Sequence, residues 1–338
     1  MSSKEITSLQ SFLSILNDYG IGNKTVQIDN KCKRALQSHI SKLLEMKRTL
    51  DLPPTLYPDE MENSPSIQYY FRGHENKSYR LKSSVKRHSG ICENELFKFF
   101  EMHAPEDVSN MSNLDKLAIM QHFGCYTRLL DITDNPLVAL YFACTSSKNT
   151  DGPNNNLFDG EVIVFSPIIS TILDYNDKIV QFLACLPALD FEDKNKLVKL
   201  IFCEIRKGNG SKLGNFENLS KKEIKSILAK INFSIDETFD FREVLFPRTV
   251  RARTFFPRIR NQKGLFIIDP LKCVEKEEQL IVAERLIVPS NCKENIRVEL
   301  DCVGINEYTL FQDLEHFSKY ANWKNSQLKS GTENENNS

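Results

Sequence analysis

Residues 121–143, QHFGCYTRLLDITDNPLVALYFA, constrain the fold more than any other stretch of this chain. A Gln-His pair, a glycine, a Thr-Arg pair and an aspartate are set among leucines and lead into an apolar run that starts at Pro136. Buried polar groups need partners or they cost stability, so this mixture requires a defined network. Gln121 and His122 read as the end of one helix, Gly124 as a turn, and Leu129 and Leu130 as buried positions. Pro136 suits the first turn of a second helix, capped by Asp134 or Asn135 and running to about residue 146.

The rest of the chain supplies the elements around that segment. Helical periodicity covers residues 5–17 and 31–50. Residues 52–65 hold four prolines and three acids and read as a linker or extended arm. The main domain is placed from Ser66, where SIQYYFR is rich in β-formers and predicts a strand ending at Gly73, a position where the backbone can turn sharply. Helices are predicted at 91–103 and 112–122, the second capped by Asn113 with Asp115 in its first turn. Residues 148–159 have loop composition. Strands follow at 161–165, 264–268 and 286–288, with helices at 293–303 and 311–321. Residues 174–231 look mostly helical and read as an insertion packed against the core. The expected organisation is therefore residues 1–65 as an N-terminal helical extension and linker, 66–323 as the main domain with the 174–231 insertion, and 324–338 as a disordered polar tail. The expected class is α+β: a small mixed or antiparallel sheet flanked by helices.

Bulk composition excludes several classes. The net charge of −1 gives no global attraction to nucleic acid or anionic lipid, so any electrostatic site is local. No apolar run reaches the roughly 18–20 residues that span a bilayer, and the first ten residues lack the apolar core of a secretory signal. The expectation is a cytoplasmic protein. The nine cysteines agree with it: none forms a CxxC pair, so neither a zinc site nor a disulfide framework is signalled. Phosphate loops of the GxxxxGK[ST] type, a GxGxxG turn, an HExxH helix and a GxSxG elbow are all missing. Cys125 beside the Gln-His pair reads as a small hydrophobe.

Three constellations carry chemistry. The first is Phe71-Arg72-Gly73: an arginine at a strand end can aim its planar fork into a cleft and hold a phosphate or carboxylate. The bland alternative is an ion pair with a local acid such as Glu75. The second is Gln121, His122, Thr127, Arg128 and Asp131, readable either as a site or as a hydrogen-bonded hub that locks a turn onto the next helix. His122 by itself is more often a satisfied core histidine. The third is residues 248–266, with six cations (Arg248, Arg251, Arg253, Arg258, Arg260 and Lys263), three interleaved phenylalanines and no acid. That stretch suits a nucleic-acid backbone or a pyrophosphate, or is a solvated basic loop, and its alternation near residues 249–255 fits a strand.

At these residues the chain resembles the FRG domain family, named for the tripeptide present here as Phe71-Arg72-Gly73. The family pattern QHxGxPTRLLDWTxNPLxALYFA is met from Gln121 to Ala143, with Tyr126 in place of proline and Ile132 in place of tryptophan. A third element, RIxxQxGxF, is seen as Arg258, Ile259, Gln262, Gly264 and Phe266. The resemblance covers about residues 66–320 and implies a component of host–phage conflict, toxin-like systems.

Two functional readings follow. One is an enzyme of ADP-ribosyltransferase type using NAD, an analogy of element order. Arg72 would anchor the pyrophosphate, Gln262, Glu161 or Glu284 would supply a later polar group, and Gln121, His122 and Asp131 would shape the pocket. Gly73, Thr127, Arg128, Arg258 and Arg260 would contribute ligand contacts. The other is a non-catalytic module binding a nucleotide, a nucleic acid or a phage component through arginines, with the helical regions contacting a protein partner. The first requires Arg72, Gln121, Asp131 and Gln262 to line one cleft. The second predicts a broad basic surface without a converging carboxylate or amide. The hub reading predicts Arg128 and Asp131 buried and fully paired.

Overall fold

In a computed structural model, the described residues are 4–18, 69–104, 106–145, 158–165, 172–245, 247–251, 253, 257–271 and 282–335. The helix expected at 31–50, the linker at 52–65 and most of the loop at 148–159 lie outside them. Among the described residues seven strands are formed: β1 (Phe71–His74), β2 (Leu129–Thr133), β3 (Gly160–Phe165), β4 (Leu173–Asp174), β5 (Arg248–Arg251), β6 (Gly264–Ile268) and β7 (Val282–Val288). They join in one mixed sheet in the order β4-β5-β6-β2-β1-β3-β7. Every pairing is antiparallel except β4 with β5. The class is α+β, as the sequence indicates.

The helices that matter for the site are α1 (Leu9–Asp18), α2 (Glu93–His103), α3 (Asn113–His122), α4 (Pro136–Cys144), α5 (Lys178–Cys185), α6 (Phe191–Arg206), α7 (Asn218–Ala229), α8 (Pro257–Asn261), α9 (Lys293–Cys302), α10 (Glu307–Phe311) and α11 (Leu314–Glu335). The core has separate clusters. The helices of residues 178–229 pack with Leu129, Val250, Phe266 and Ile268. Helix α4 packs with Phe71, Val162, Val164, Leu286 and Val288. Leu130, Ile132, Ile163, Phe165, Leu265 and Ile267 make a third cluster, as strand alternation requires.

Several expectations are corrected. Gly73 does not end a strand; it sits inside β1, paired with Val162. A Cβ there would lie 1.9 Å from the Ala139 carbonyl oxygen and 2.6 Å from the Ala143 nitrogen. Gly160 on the neighbouring strand is in the same position, 2.1 Å from the Ala143 carbonyl oxygen. Both glycines let the backbone of α4 lie against the sheet, a close approach that any side chain would prevent. The cap of α3 is Ser112, one residue before Asn113, and its hydroxyl accepts from the Asp115 N–H at 3.2 Å. Helix α4 is capped by Asn135, whose side chain accepts from the Leu137 N–H at 3.0 Å.

At the two ends, neighbours override composition. Residues 4–18 pack into the main core: Ile6 and Phe12 are fully buried, and the Ile6 N–H donates to the Ile287 carbonyl at 2.7 Å. The helix expected at 311–321 is two helices, α10 and α11, separated by Gln312 in a left-handed conformation (φ 56°). The tail read as disordered from residue 324 continues helix α11 to Glu335. Polar tethers to α9 hold it: Trp323 and Gln327 donate to Glu294 at 2.7 and 2.6 Å, and Lys324 pairs with Asp301 at 2.5 Å.

Candidate functional site

The site lies where two central strands separate. β1 and β2 share a single paired position, Phe71 with Thr133. Beyond it they diverge, and the Arg72 guanidinium fills the gap: its Nη1 donates to the Asp131 backbone carbonyl at 2.5 Å. The same nitrogen is 3.7 Å from the Asp131 carboxylate. A carbonyl that would otherwise lack a ladder partner is thereby satisfied by a side chain.

A cleft of about 200 Å³ opens at this fork, lined in part by Arg72, Gln121, His122, Asp131, Arg258 and Gln262. These come from β1, α3, β2, α8 and the turn before β6, so residues far apart in the chain meet. Gln121 is oriented from both ends. The Thr127 hydroxyl accepts from the Leu129 N–H at 3.2 Å and donates to Gln121 Oε1 at 2.5 Å. Gln121 Nε2 is left to donate to Asp131 Oδ1 at 2.7 Å. Asp131 stays open to solvent, with 62% of its side chain exposed, against 16% for Arg72. The arrangement is a carboxylate fixed by an amide and an arginine, with a face still free to meet a ligand.

Arg258 enters from the opposite wall. Its guanidinium lies 4.7 Å from the centre of the Phe311 ring, a cation–π contact. Among the described residues, no carboxylate lies within ion-pair distance of it. Burial pushes its pKa down, and the charges of Asp131 and Asp313 oppose that shift. Arg72 is affected in the same way, by burial first and with Asp131 opposing. Arginine remains charged under such conditions, so two cations face one carboxylate. The His122 imidazole is pushed below its ordinary value by burial and by Arg258, with Asp313 opposing, so it is neutral at physiological pH.

The remaining sequence candidates separate by position. Gly73 borders the cleft but serves α4 packing. Thr127 stands behind Gln121 as its orienting group. Arg128, read as a ligand contact, is a structural hub: its Nε and Nη2 each donate to a Glu93 carboxylate oxygen at 2.7 Å, and its Nη1 to the Leu183 carbonyl at 3.2 Å. Arg260 is exposed and away from the cleft. Gln262 borders the cleft, yet its side-chain amide donates to the Leu310 carbonyl at 3.4 Å and its backbone carbonyl accepts from Thr133 Oγ1 at 2.7 Å, so it also ties α10 and β2 to the turn. Glu161 and Glu284 do not line the cleft; Glu161 is buried on β3 and bonded to His74. Tyr126, in the family's proline position, stacks on His88 at 4.0 Å. His74 and Phe311 escaped the sequence reading. His74 could have been found from its place two residues after Arg72 on a strand, where side chains share a face.

Among the described residues no helix is long and apolar enough to cross a membrane. No curated protein and no solved structure matches the chain. Residues 67–152 match the model of the FRG domain, so the stretch that supplies Arg72, Gln121, His122 and Asp131 to the cleft is an FRG domain.

Proposed function

We propose that the cleft handles a nucleotide, with Arg72 and Arg258 holding phosphate and Asp131 facing the sugar end. The observation that carries this reading is the convergence of two guanidiniums and one solvent-open carboxylate on a single cleft. Guanidinium forks suit phosphate oxygens. A carboxylate beside an anion site is electrostatically costly unless the ligand also presents positive charge. NAD meets both demands, with an anionic pyrophosphate and a cationic nicotinamide. Cleavage of its glycosidic bond sends the bonding pair to nicotinamide and leaves oxocarbenium-like charge on the ribose, which Asp131, held by Gln121, is set to stabilise. An acceptor nucleophile then forms the new bond and gives up its proton. The volume of about 200 Å³ is below the usual range for whole-ligand pockets and suits one end of a dinucleotide. The biological setting we infer from the family resemblance is host–phage conflict.

The test is nicotinamide release, followed by mass spectrometry on the full chain incubated with NAD. Release by wild type, slowed on the order of 100-fold in Asp131→Asn with NAD binding retained, is the expected result. NAD bound but never cleaved by wild type would replace the transferase reading with that of a recognition module.

A further inference from the structure

Arg72 is held from behind by a sealed chain of polar groups. Its Nε donates to His74 Nε2 at 3.0 Å. A ring nitrogen that accepts carries no proton, so the His74 proton is on Nδ1, which donates to Glu161 Oε1 at 3.0 Å. The same oxygen accepts from Arg285 Nη1 at 2.6 Å. The His74 and Glu161 side chains are 3% and 2% exposed. Register places them directly opposite each other on β1 and β3. None of His74, Glu161 and Arg285 lines the cleft.

We propose that Glu161 and His74 are positioning residues for Arg72, and that the cleft accepts an anionic ligand only while His74 is neutral. The link is hydrogen-bond polarity. Glu161 keeps the proton on Nδ1, which leaves Nε2 as an acceptor and fixes the Arg72 fork at the strand divergence. A second proton on the ring would set an Nε2–H against the Arg72 Nε–H, turning an attraction into a repulsion and leaving the guanidinium held only through Nη1 at the Asp131 carbonyl.

The charged and titratable groups facing the ring are Arg72 on its own strand, Glu161 on β3 and Arg285 on β7, with the Tyr79 ring 6.1 Å away between centroids. Burial disfavours the imidazolium most, the Glu161 hydrogen bond and charge favour it, and the two arginines disfavour it. The outcome is a pKa below the ordinary histidine value, so the ring is neutral at pH 7 and the anchor is lost on acidification.

The ligand-free part of the test is hydrogen exchange of the Arg72 Nε–H, followed by NMR on the full chain. Wild type should protect it at pH 7, and His74→Ala and Glu161→Ala should exchange it at least about tenfold faster, in line with loss of a hydrogen bond to a charged group. His74→Gln should restore protection, because its amide oxygen can accept from Arg72 while its NH2 donates to Glu161 without titrating. The ligand part, which rests on the nucleotide-handling reading, is titration with ADP at pH 7 and at steps down to the lowest pH at which both wild type and His74→Gln stay folded. Wild-type affinity should fall about tenfold further than that of His74→Gln, a comparison that cancels the titration of ADP itself. Unchanged protection in His74→Ala, or one pH profile shared by wild type and His74→Gln, would overturn the proposal. If His74→Ala fails to fold, the His74→Gln comparison still decides it. Protected Arg72 in a wild type that binds no ADP would break the nucleotide reading and leave the positioning role intact.

Discussion

Two arginine–carboxylate pairs, Arg128 with Glu93 and Arg72 with Asp131, meet the chain just before β2 and at its middle residue, and they do different work. The first is closed. Arg128 is 7% exposed and Glu93 13%, the contact is bidentate, and Lys194 adds a second cation at 3.1 Å. The second is open, with the Asp131 carboxylate mostly in solvent and the guanidinium bonded to the backbone carbonyl. Both arginines belong to short motifs, so motif membership does not separate architecture from site. What separates them is whether the partners use up the available donors and acceptors. Glu93 and the Leu183 carbonyl engage three Arg128 nitrogens, whereas the Arg72–Asp131 pair keeps a face turned to the cleft beside Arg258.

The largest expected effect tests the closed pair. Glu93→Ala leaves Arg128 buried without its partner and should cost about 3–5 kcal/mol in urea unfolding at pH 7. The same pair has an acid signature. Burial opposes ionisation of Glu93, but the charges and hydrogen bonds of Arg128 and Lys194 outweigh it and hold the carboxyl at about 2, below its ordinary value of 4.5. A depressed folded-state pKa gives stability that is present above pH 4.5 and lost as the pH falls toward 2. Wild type should therefore lose stability across that interval more steeply than Glu93→Gln; equal slopes would remove the pair from the account.

Next in size is Gly73→Ala. Its methyl would meet the backbone of α4, and we expect a loss of about 1–3 kcal/mol, read as a shifted urea midpoint. A neutral result would mean that the glycine serves the cleft and not the packing. Asp131→Asn sharpens the contrast from the other side. An open pair contributes little, so its stability cost should stay under about 1 kcal/mol by the same assay. Arg258→Gln should be the mildest, about 0.5 kcal/mol from the lost contact with Phe311, while NAD affinity drops at least about tenfold. A stability loss in Asp131→Asn as large as that of Glu93→Ala would move the open pair into the architectural class.

The sequence made part of this division legible. Pro136 and Asn135 mark the start of α4, and strands β3 and β6 are visible as apolar runs, because these are local signals of capping and period. Arg72, Gln121, Asp131 and Gln262 are singled out by the same motifs, yet their meeting depends on the order of β6, β2 and β1 in the sheet, which no local pattern carries. Whether Arg128 is a ligand contact or part of a hub is not legible locally, because its partner, Glu93, lies on a helix 35 residues earlier. The pairing of His74 with Glu161 spans 87 positions and exists only through the β1–β3 register. Gly73 reads as a turn from sequence because glycine permits turns; its actual constraint is the helix lying over it. The polar tail reads as disordered until Glu294 and Asp301 are seen waiting on α9.

The most direct test of the central claim is calorimetric titration of NAD into wild type, Arg72→Ala and Arg258→Ala, each first shown to unfold cooperatively near the wild-type midpoint. The account predicts saturable binding by wild type and its loss in both folded variants. Wild type that binds no NAD, or variants that bind it with unchanged affinity, would contradict the claim that these two arginines form a nucleotide site.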